Sequence, residues 1–460
     1  MKLGAFTTAL LSIAAANAIE FKRDDILNVA HKRQVVSASS AARPGASATA
    51  PPAAPPPLDT GTGVPPLASI TSGMPTQATL APTTSYPPGA TPPVKGAPVL
   101  PSAFVFSPAD WPAQDRVPPP DSPQVKAWMK ELEGHNIPNL NPTKDGTCAS
   151  DPAAAAAAAD RGWWTCGGHT RSTDVLACPD KLTWGVSFDD GPSPYTQKLL
   201  NYLTEKQILA TFFVVGSRVI ERPNVVVEEY MKGHEISVHT WSHRPLTTLT
   251  NEQIVAELGW TRLAIKRVLG VTPTTMRPPF GDIDDRVRAI ALAMGMVPII
   301  WTSTPATGPF DTNDWKVAAG MVTGQDSFNT FQSIFGNATS LNTGFIVLQH
   351  DLYEITVDLA IGYTLNAAQT HSPALKMLPI GQCMKMPTEN LYIESNTNNT
   401  FPSHASTGID TNGDGTLDAK SSVSAPGQGS SNGSSGFGTS PVPVMSALAA
   451  LASFAAGLLL

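Results

Sequence analysis

The chain has 460 residues, of which 43 are proline and 36 are glycine, and its formal net charge is −7 at pH 7. This acidic balance provides no basic surface to hold a phosphate backbone, so nucleic acid is excluded from the expected partners. The four cysteines are too few for a fold built mainly from disulfides, but they can form two bridges in an oxidising compartment.

The amino terminus has the order of features that is typical of a secretory signal peptide. Lys2 supplies a positive charge, an apolar run of alanine and leucine follows, and Ala16, Asn17 and Ala18 form a small-residue cleavage site. A membrane-spanning helix is the alternative interpretation, but the apolar run is too short for one. We therefore predict a signal peptide over residues 1–18.

Residues 19–104 are predicted to form a propeptide-like segment followed by a linker. The dibasic pair Lys32-Arg33 resembles a processing site, and from about residue 35 the chain consists mainly of Ala, Pro, Ser and Thr. This composition buries too little apolar surface to offset the entropy lost on ordering, so we expect a disordered Pro/Ser/Thr-rich segment that is largely extended.

The pattern changes at residue 181, where short apolar runs alternate with helical segments. The predicted strands are Leu182–Phe188, Thr211–Val215, Glu235–His239, Thr274–Met276, Val297–Trp301, Phe345–Leu348 and Met377–Ile380. The helix predicted over Thr250–Leu269 begins with a capping box. Strands that alternate with helices indicate a parallel α/β sheet, and this number of strands over residues 181–395 suits a barrel. Residues 105–180 are predicted to be an extension that packs on it.

The carboxyl-terminal part is predicted to be a flexible Ser/Gly-rich tail over residues 396–436 and a lipid-attachment signal over residues 437–460. Asp410–Asp418 has the spacing of a calcium-binding loop, but Ser421 occupies the position of the bidentate Glu, so we interpret it as a polar turn. The last segment is apolar to its end and follows small residues at Ser431–Gly436, which is the order of a GPI-attachment signal. A tail anchor is the alternative.

These end segments predict a secreted monomer that a GPI lipid holds to the outer leaflet of the plasma membrane, the cell wall, or both. Asn337, Asn398 and Asn432 each begin an Asn-X-Ser/Thr sequon and are predicted glycosylation acceptors.

Reactive side chains recur just after the predicted strands. They are Asp189 and Asp190 after the first strand, His239 and His243 at and after the end of the third, Arg277 after the fourth, Asp311 and Asp314 after the fifth, and His350 after the sixth. The carboxyl ends of barrel strands carry the active site, so we expect these side chains to converge on one rim.

The residue types in this set favour a metal site. Asp189 and Asp190 are adjacent carboxylates at the end of an apolar strand, and like charges at short range disfavour each other unless a cation is present. His239 and His243, four residues apart, can direct two imidazoles at one ion, and histidine with carboxylate suits zinc. Taken singly, each set also has a structural interpretation: Asp-Asp-Gly-Pro is a favourable turn, and buried histidines often only pack.

Five motifs in this order resemble the polysaccharide deacetylase family, also called the NodB-homology domain or carbohydrate esterase family four. They are SFDDGP at Ser187–Pro192, HTWSH at His239–His243, RPPFG at Arg277–Gly281, DTNDW at Asp311–Trp315 and LQHD at Leu348–Asp351. The resemblance implies a distorted (β/α)₇ barrel with one divalent metal ion, Zn²⁺ or Co²⁺. It also implies removal of acetyl groups from N-acetylglucosamine units of chitin or its oligomers.

Carried over motif by motif, the resemblance implies that Asp190, His239 and His243 are the metal ligands. Asp189 corresponds to the general base that takes a proton from the attacking water, and Arg277 corresponds to the residue that orients and ionises it.

The resemblance assigns His350 as the acid that protonates the leaving amine, a step suited to the pKa of histidine. Asp314, in preference to Asp311, is predicted to hold His350 in its protonated form. The backbone N–H of Phe280, which replaces a usual tyrosine, is predicted to meet the oxyanion. The slot for the acetyl methyl group is assigned to Trp315 and Leu348. The loop Thr302–Phe310 is longer than the family pattern leads us to expect.

In the same interpretation, Cys178 and Cys383 lie just before the first and just after the last strand. A bridge between them would tie the ends of the barrel together and leave Cys148 to pair with Cys166, which is one of three possible connectivities.

Two other functions stay open. A cell-wall mannoprotein on the same fold could serve adhesion or chitin binding, although a binding protein has no use for a base and an acid that face each other. The same chemistry could also act on another acetylated polysaccharide such as acetylxylan.

Overall fold

The structure, a computed structural model, describes residues 63–305, 308–398 and 409–417. The predicted signal peptide, dibasic site and GPI-attachment signal lie outside these ranges, as does the sequon at Asn432. Asn337 and Asn398, which begin the other two sequons, are within them, and the Asn398 side chain is exposed.

A curled sheet of parallel strands forms the centre of the domain. The strands are β1 Thr183–Asp189, β2 Thr211–Val214, β3 Glu235–Val238, β4 Thr275–Met276, β5 Val297–Pro298, β6 Ser303–Thr304, β7 Gly308–Pro309, β8 Phe345–Ile346 and β9 Lys376–Pro379. The sheet has the order β5-β4-β3-β2-β1-β8, and β9 pairs with the first half of β1. Strands β6 and β7 form a separate antiparallel hairpin within the long loop predicted after the fifth strand. All seven predicted strands are present, with ends that are shifted or shortened.

The two edges of this sheet approach each other without a continuous ladder. The Thr302 N–H donates to the Ile346 carbonyl over 3.0 Å, and the Thr312 N–H donates to the Leu348 carbonyl over 3.2 Å. The sheet therefore bends into an incomplete barrel, and the predicted distorted α/β barrel is confirmed.

Helices surround the sheet. They are α1 Pro123–Trp128, α2 Pro152–Ala156, α3 Ala158–Arg161, α4 Thr196–Lys206, α5 Gly216–Glu221, α6 Pro223–Met231, α7 Asn251–Leu269, α8 Asp285–Ala293, α9 Asp314–Ala318, α10 Gly324–Ala338, α11 Glu354–Leu359, α12 Leu365–Gln369 and α13 Ile380–Cys383. Shorter 3₁₀ turns cover Leu67–Ser69, Met129–Leu132, Leu246–Thr248, Pro279–Gly281 and Thr388–Leu391, and a π-helical turn covers Ala360–Thr364. Among the described residues, no helix combines the length and apolar character needed to cross a bilayer.

Helix α7 begins and ends where the sequence indicates. The Thr250 hydroxyl accepts from the Gln253 N–H over 3.3 Å and the Gln253 side chain accepts from the Thr250 N–H over 3.0 Å, which completes the predicted capping box. Gly270 ends the helix in the left-handed conformation, with φ of 82°. Gly259 lets the Trp128 ring of α1 approach closely, because a Cβ there would lie 2.2 Å from that ring.

The prediction of an unpacked linker over residues 19–104 is wrong for residues 63–104, which lie along the barrel. Ile70 is fully buried, and three other apolar side chains of this segment retain 5% exposure or less. The Gln77 N–H donates to the Glu354 carboxylate over 3.0 Å. A proline-rich chain has few conformations to lose on docking, so a few apolar anchors suffice to order it.

The prediction of a flexible tail over residues 396–436 is wrong for residues 409–417. Asp410 is fully buried, and its carbonyl accepts from Trp128 Nε1 and from Arg262 Nη2, each over 3.0 Å. Its carboxylate accepts three backbone N–H groups of the turn that follows, so the predicted polar turn is present but docked. The donors to its carbonyl lie on α1 and α7, far away along the chain, and no local pattern reveals them.

Both predicted disulfides are present. Cys178 and Cys383 are 205 residues apart in sequence and connect the segment before β1 to the end of α13. The bond therefore ties the two ends of the barrel, where closing so long a loop restricts the unfolded chain most. Cys148 and Cys166 close a short loop in the extension.

His234 precedes β3 and is a core residue, as the sequence suggests. Its side chain is 3% exposed, and its Nδ1 accepts a hydrogen bond from the Ala210 N–H over 3.1 Å. Burial, with a smaller contribution from Lys232, lowers its pKa from 6.5 to about 3. The folded protein therefore holds a neutral imidazole.

We predict that His234→Asn reduces the acid sensitivity of the fold, since Asn keeps an acceptor for the Ala210 N–H. Between about pH 6.5 and 3 the unfolded chain binds one more proton at His234 than the folded chain, so stability falls as pH falls through this window. From pH 7 to 5 this proton costs the wild type about 2 kcal/mol of unfolding free energy. Urea unfolding at both pH values measures it. Parallel losses in variant and wild type contradict the prediction.

Candidate active site

The predicted reactive residues converge at the carboxyl end of the sheet. Strand β1 ends at Asp189, and Asp190 continues in the left-handed region with φ of 79°. Strand β3 ends at Val238, directly before His239. Since β1, β2 and β3 are neighbouring parallel strands, the ends of β1 and β3 meet at one edge of the sheet.

Three ligand atoms lie together at this edge. Asp190 Oδ1 is 3.2 Å from His239 Nε2 and 3.0 Å from His243 Nε2. The three residues retain 8%, 2% and 8% exposure, respectively. Among the described residues, these three form the group of His, Cys, Asp or Glu side chains that could hold a metal ion, because their ligand atoms all lie within 4.8 Å of one another. The structure thus brings together the three predicted metal ligands.

Hydrogen bonding prepares these atoms for a cation. His239 Nδ1 lies 2.8 Å from the Arg277 carbonyl, which accepts a hydrogen bond from the Nδ1–H. The proton of the neutral ring is therefore on Nδ1, and Nε2 carries the lone pair. Burial lowers the pKa of His243, although Asp190 opposes this, which favours its neutral form as well. Asp190 Oδ1 is buried and receives no hydrogen bond of acceptable geometry. One carboxylate oxygen and two imidazole lone pairs that face one another fit a divalent metal such as zinc.

Asp189 points beside this cluster and pairs with Arg277. The distance from Asp189 Oδ1 to Arg277 Nη1 is 2.6 Å, and the two side chains are 2% and 0% exposed. The same Nη1 donates to the Ser187 hydroxyl over 3.0 Å, and the guanidinium lies 3.9 Å above the Phe213 ring. The other oxygen, Asp189 Oδ2, is 3.9 Å from His239 Nε2. One oxygen therefore holds the cation of Arg277 while the other faces the cluster.

His350 pairs with Asp314, which resolves the choice between the two aspartates. His350 Nδ1 lies 2.7 Å from Asp314 Oδ1, and the His350 N–H donates to Asp314 Oδ2 over 2.8 Å. Burial disfavours the charged imidazole, but Asp314, assisted by Asp190 and Asp189, outweighs burial and raises the His350 pKa to about 10. His350 is thus held as the protonated acid.

Asp311 instead organises the loop that carries Asp314. Its Oδ1 accepts from the Asn313 N–H over 2.8 Å, and its Oδ2 accepts from Trp315 Nε1 over 3.2 Å. Trp315 is half-buried, and Leu348, which precedes His350 by two residues, is 7% exposed. Trp315 therefore lies beside Asp314 in α9, and Leu348 lies in the segment that leads to His350.

Phe280 packs against His243 of the ligand cluster. Its ring centroid is 4.6 Å from that of His243, and its backbone has φ of 61°. The following Gly281 lies against the rings of Trp164 and Trp301, where a Cβ would come within 2.4 Å of Trp164. The extension thus reaches the RPPFG motif. A bulky side chain at the glycine would displace this contact.

Comparison with known proteins agrees with this geometry. The sequence pattern that defines polysaccharide deacetylases matches residues 177–299. The chain is 52% identical over 344 residues to chitin deacetylase 1 of Cryptococcus neoformans, a match that covers 74% of this chain and 72% of that protein. The chain belongs to the polysaccharide deacetylase family. Chitin deacetylase 2 of the same organism is 37% identical over 284 residues, which are 57% of this chain and 56% of that protein.

One of the matches among solved structures is also called a deacetylase. It is the chitin deacetylase of the fungal pathogen Colletotrichum lindemuthianum, 24% identical in sequence with a TM-score of 0.43. The match covers 48% of this chain and 95% of that one.

Two residues of this deacetylase site were not found from the sequence. Arg218 of α5 donates to the Asp190 carbonyl over 2.5 Å, and Glu257 of α7 binds the backbone between the two histidines. Neither belongs to a recognised motif. The available sequence signal for each residue was a polar side chain on a predicted helix. Whether that face of the helix is buried is decided only when the helix packs.

We predict that Arg277→Met strongly destabilises the metal-free protein, because it leaves the buried Asp189 carboxylate without a cation. The expected loss is about 3–5 kcal/mol of unfolding free energy, measured by urea unfolding with a chelator present. Arg277→Met combined with Asp189→Asn should recover part of this loss, since the uncompensated charge is then removed.

The matched control is Arg171→Met. Arg171 pairs with Asp285 over 2.7 Å, but their side chains are 37% and 25% exposed. Breaking an exposed pair should cost less than about 1 kcal/mol. Equal losses at the two sites contradict the assignment of Arg277 as the essential counter-ion of Asp189.

Proposed function

We propose that the protein is a metal-dependent chitin deacetylase that converts N-acetylglucosamine units of chitin into glucosamine units and acetate. The observation that carries this proposal is the Asp190, His239 and His243 cluster, which shares its rim with a paired aspartate, Asp189, and a paired histidine, His350. Asp189 with Arg277 contacts one side of it, and His350 with Asp314 belongs to the same rim. The identity to chitin deacetylase 1 supports chitin as the substrate.

Asp190, His239 and His243 are the residues that would hold the ion, and zinc or cobalt suits their nitrogen and oxygen donors. When bound, such an ion supplies Lewis-acid chemistry: it lowers the pKa of water and polarises a carbonyl oxygen.

Asp189 acts as the general base in this proposal. Its Oδ1 is occupied by Arg277 at 2.6 Å, so its Oδ2 is the oxygen available to take a proton from the attacking water. The buried guanidinium stabilises the ionised carboxylate, which is the form that a base requires. The resulting hydroxide equivalent attacks the acetamide carbonyl carbon.

His350 acts as the general acid. Asp314 accepts a hydrogen bond from the Nδ1–H of His350. The proton on Nε2 is therefore the one that is donated to the amide nitrogen. The C–N bond then breaks, and the amine leaves as a neutral molecule rather than as an anion. The oxygen of the attacking water becomes part of the acetate product. The Phe280 backbone N–H is proposed to assist at the oxyanion, and Trp315 with Leu348 to line the methyl slot.

A non-catalytic chitin-binding protein and an acetylxylan esterase are the alternatives. A binding protein gains nothing from a buried Asp–Arg pair beside a ligand cluster, because such pairs are expensive to desolvate. Acetylxylan is an ester and needs no strong acid for its leaving group, whereas an amide does. The firmly paired His350 and Asp314 favour the amide.

We predict acetate release from chitin oligomers by the wild-type protein, loss of activity with a chelator, and recovery with zinc or cobalt. Asp189→Asn and His350→Ala should each lower kcat/KM by about 10²–10⁴-fold, because each removes a proton-transfer group. Acetate is measured on chitin oligomers and on acetylxylan in parallel.

Asp174→Asn is the matched control for the base. Asp174 pairs with Arg288 over 2.8 Å with side chains 0% and 3% exposed, so it tests loss of a buried pair away from the site. Chitin binding without acetate release by the wild type would sink the hydrolase proposal. Faster acetate release from acetylxylan than from chitin would identify acetylxylan, rather than chitin, as the substrate.

We further propose that the mature protein is secreted and attached by a GPI lipid to the plasma membrane, the cell wall, or both. The signal-peptide features of residues 1–18 and the small-residue and apolar segments up to residue 460 support this proposal. Two disulfides suit an oxidising compartment.

Removing residues 437–460 should release the protein into the medium of a fungal host, because the lipid can then no longer be attached. The full chain should stay with the cell and become soluble on treatment with a phosphatidylinositol-specific phospholipase. Immunoblotting of cells and medium measures both. Secretion of the full chain, or cell retention of the shortened one, contradicts the proposal.

A further inference from the structure

The loop that carries both histidine ligands has a strained backbone. Thr240 and His243 adopt positive φ values of 64° and 56°, a region that β-branched and bulky residues rarely occupy. Such conformations are strained and persist only where the surroundings impose them. The contacts that impose them therefore also decide where the two imidazoles point.

Glu257 of α7 contacts the middle of this loop. Its Oε2 accepts the backbone N–H groups of Trp241 and Ser242, each over 2.8 Å, and its Oε1 accepts the Ser242 hydroxyl. The side chain is fully buried. Trp241 and Ser242 lie between the two histidines in the sequence, so one carboxylate holds the middle of the ligand-bearing loop.

The extension holds the same loop from the other side. Trp241 Nε1 donates to the Ala113 carbonyl over 3.0 Å, and the Trp241 ring stacks on that of Trp111 with centroids 6.1 Å apart. Trp241 is fully buried. The side chains of Trp241 and Ser242 and the backbone N–H groups of both residues are thus held, which leaves the loop little freedom to relax.

We propose that Glu257 is a positioning residue for the metal site: it holds the 239–243 loop in the strained conformation that brings His239 Nε2 and His243 Nε2 to Asp190. This inference rests on the proposed metal-dependent function and adds a residue that touches neither ion nor substrate. A site held in place before the ion binds spends no binding free energy on rearranging the loop. Without Glu257 the loop can relax, and ion affinity falls by the free energy needed to restore it.

Glu235 provides a matched control within the same protein. It too is a buried glutamate that accepts two backbone N–H groups, from Gly381 over 2.7 Å and Gln382 over 3.1 Å, and one hydroxyl, from Thr211 over 2.7 Å. It lies at the start of β3, whereas the ligands follow the ends of β1 and β3. Its loss should affect stability in a similar way without reaching the metal ligands.

The test measures the zinc dissociation constant of the full-length folded protein by competition with a chromogenic chelator. Glu257→Met removes every acceptor at similar volume and should weaken zinc binding at least about tenfold. Glu257→Gln keeps a carbonyl oxygen for the two N–H groups and should bind zinc between wild type and Glu257→Met. Glu235→Met should bind zinc as the wild type does. Absorption spectra of the cobalt forms should shift for Glu257→Met and not for Glu235→Met.

Zinc binding within twofold of wild type by folded Glu257→Met overturns the inference, as does an equal loss in Glu235→Met. If Glu257→Met does not fold, Glu257→Gln against Glu235→Gln decides in the same way, with weaker binding expected only for the former. A wild-type protein that binds no zinc or cobalt overturns the metal-dependent function itself together with this inference, whereas wild-type binding with unaffected variants overturns this inference alone.

Discussion

The site depends on how the protein accommodates two adjacent carboxylates at the buried end of a strand. Asp189 and Asp190 follow each other at the end of β1, and neither can stay ionised there without positive charge nearby. Arg277 provides that charge for Asp189 through a fully buried ion pair. Asp190 faces two imidazole nitrogens with lone pairs, an arrangement that a divalent cation completes. The two carboxylates thus have different partners, an arginine cation for Asp189 and two imidazoles for Asp190.

The second half of the site depends on a similar pairing. His350 follows β8 and receives Asp314 from α9, so the imidazole is kept cationic within reach of the same rim. The rim therefore carries two ion pairs and, beside them, a cluster of three ligand side chains. Most of these groups follow neighbouring parallel strands, which end at the same edge, whereas Asp314 comes from α9.

The segments outside the family pattern are structural parts of the domain. Residues 63–104 and 409–417 pack against barrel helices, and the Trp128 ring joins α1 to α7 and to the docked tail. Trp111 and Ala113 reach the loop that carries the histidine ligands. The extension is therefore connected to the site through the same helix and loop that Glu257 joins. A catalytic barrel cut out at residue 177 would lose these contacts.

The sequence by itself predicted the strands and the capping box of α7, and its resemblance to the deacetylase family proposed the ligand, base and acid residues that the structure brings to one rim. It could do so because hydrophobic alternation and short motifs are local, and because the polar residues that follow parallel strands share one edge. It favoured Asp314 over Asp311 as the partner of His350, but both lie in one loop, and only the folded arrangement shows which of them meets the imidazole. It also missed Glu257, Arg218 and the packing of the proline-rich segment. Those contacts join residues far apart in the chain, and only the folded arrangement decides which buried polar group finds which partner.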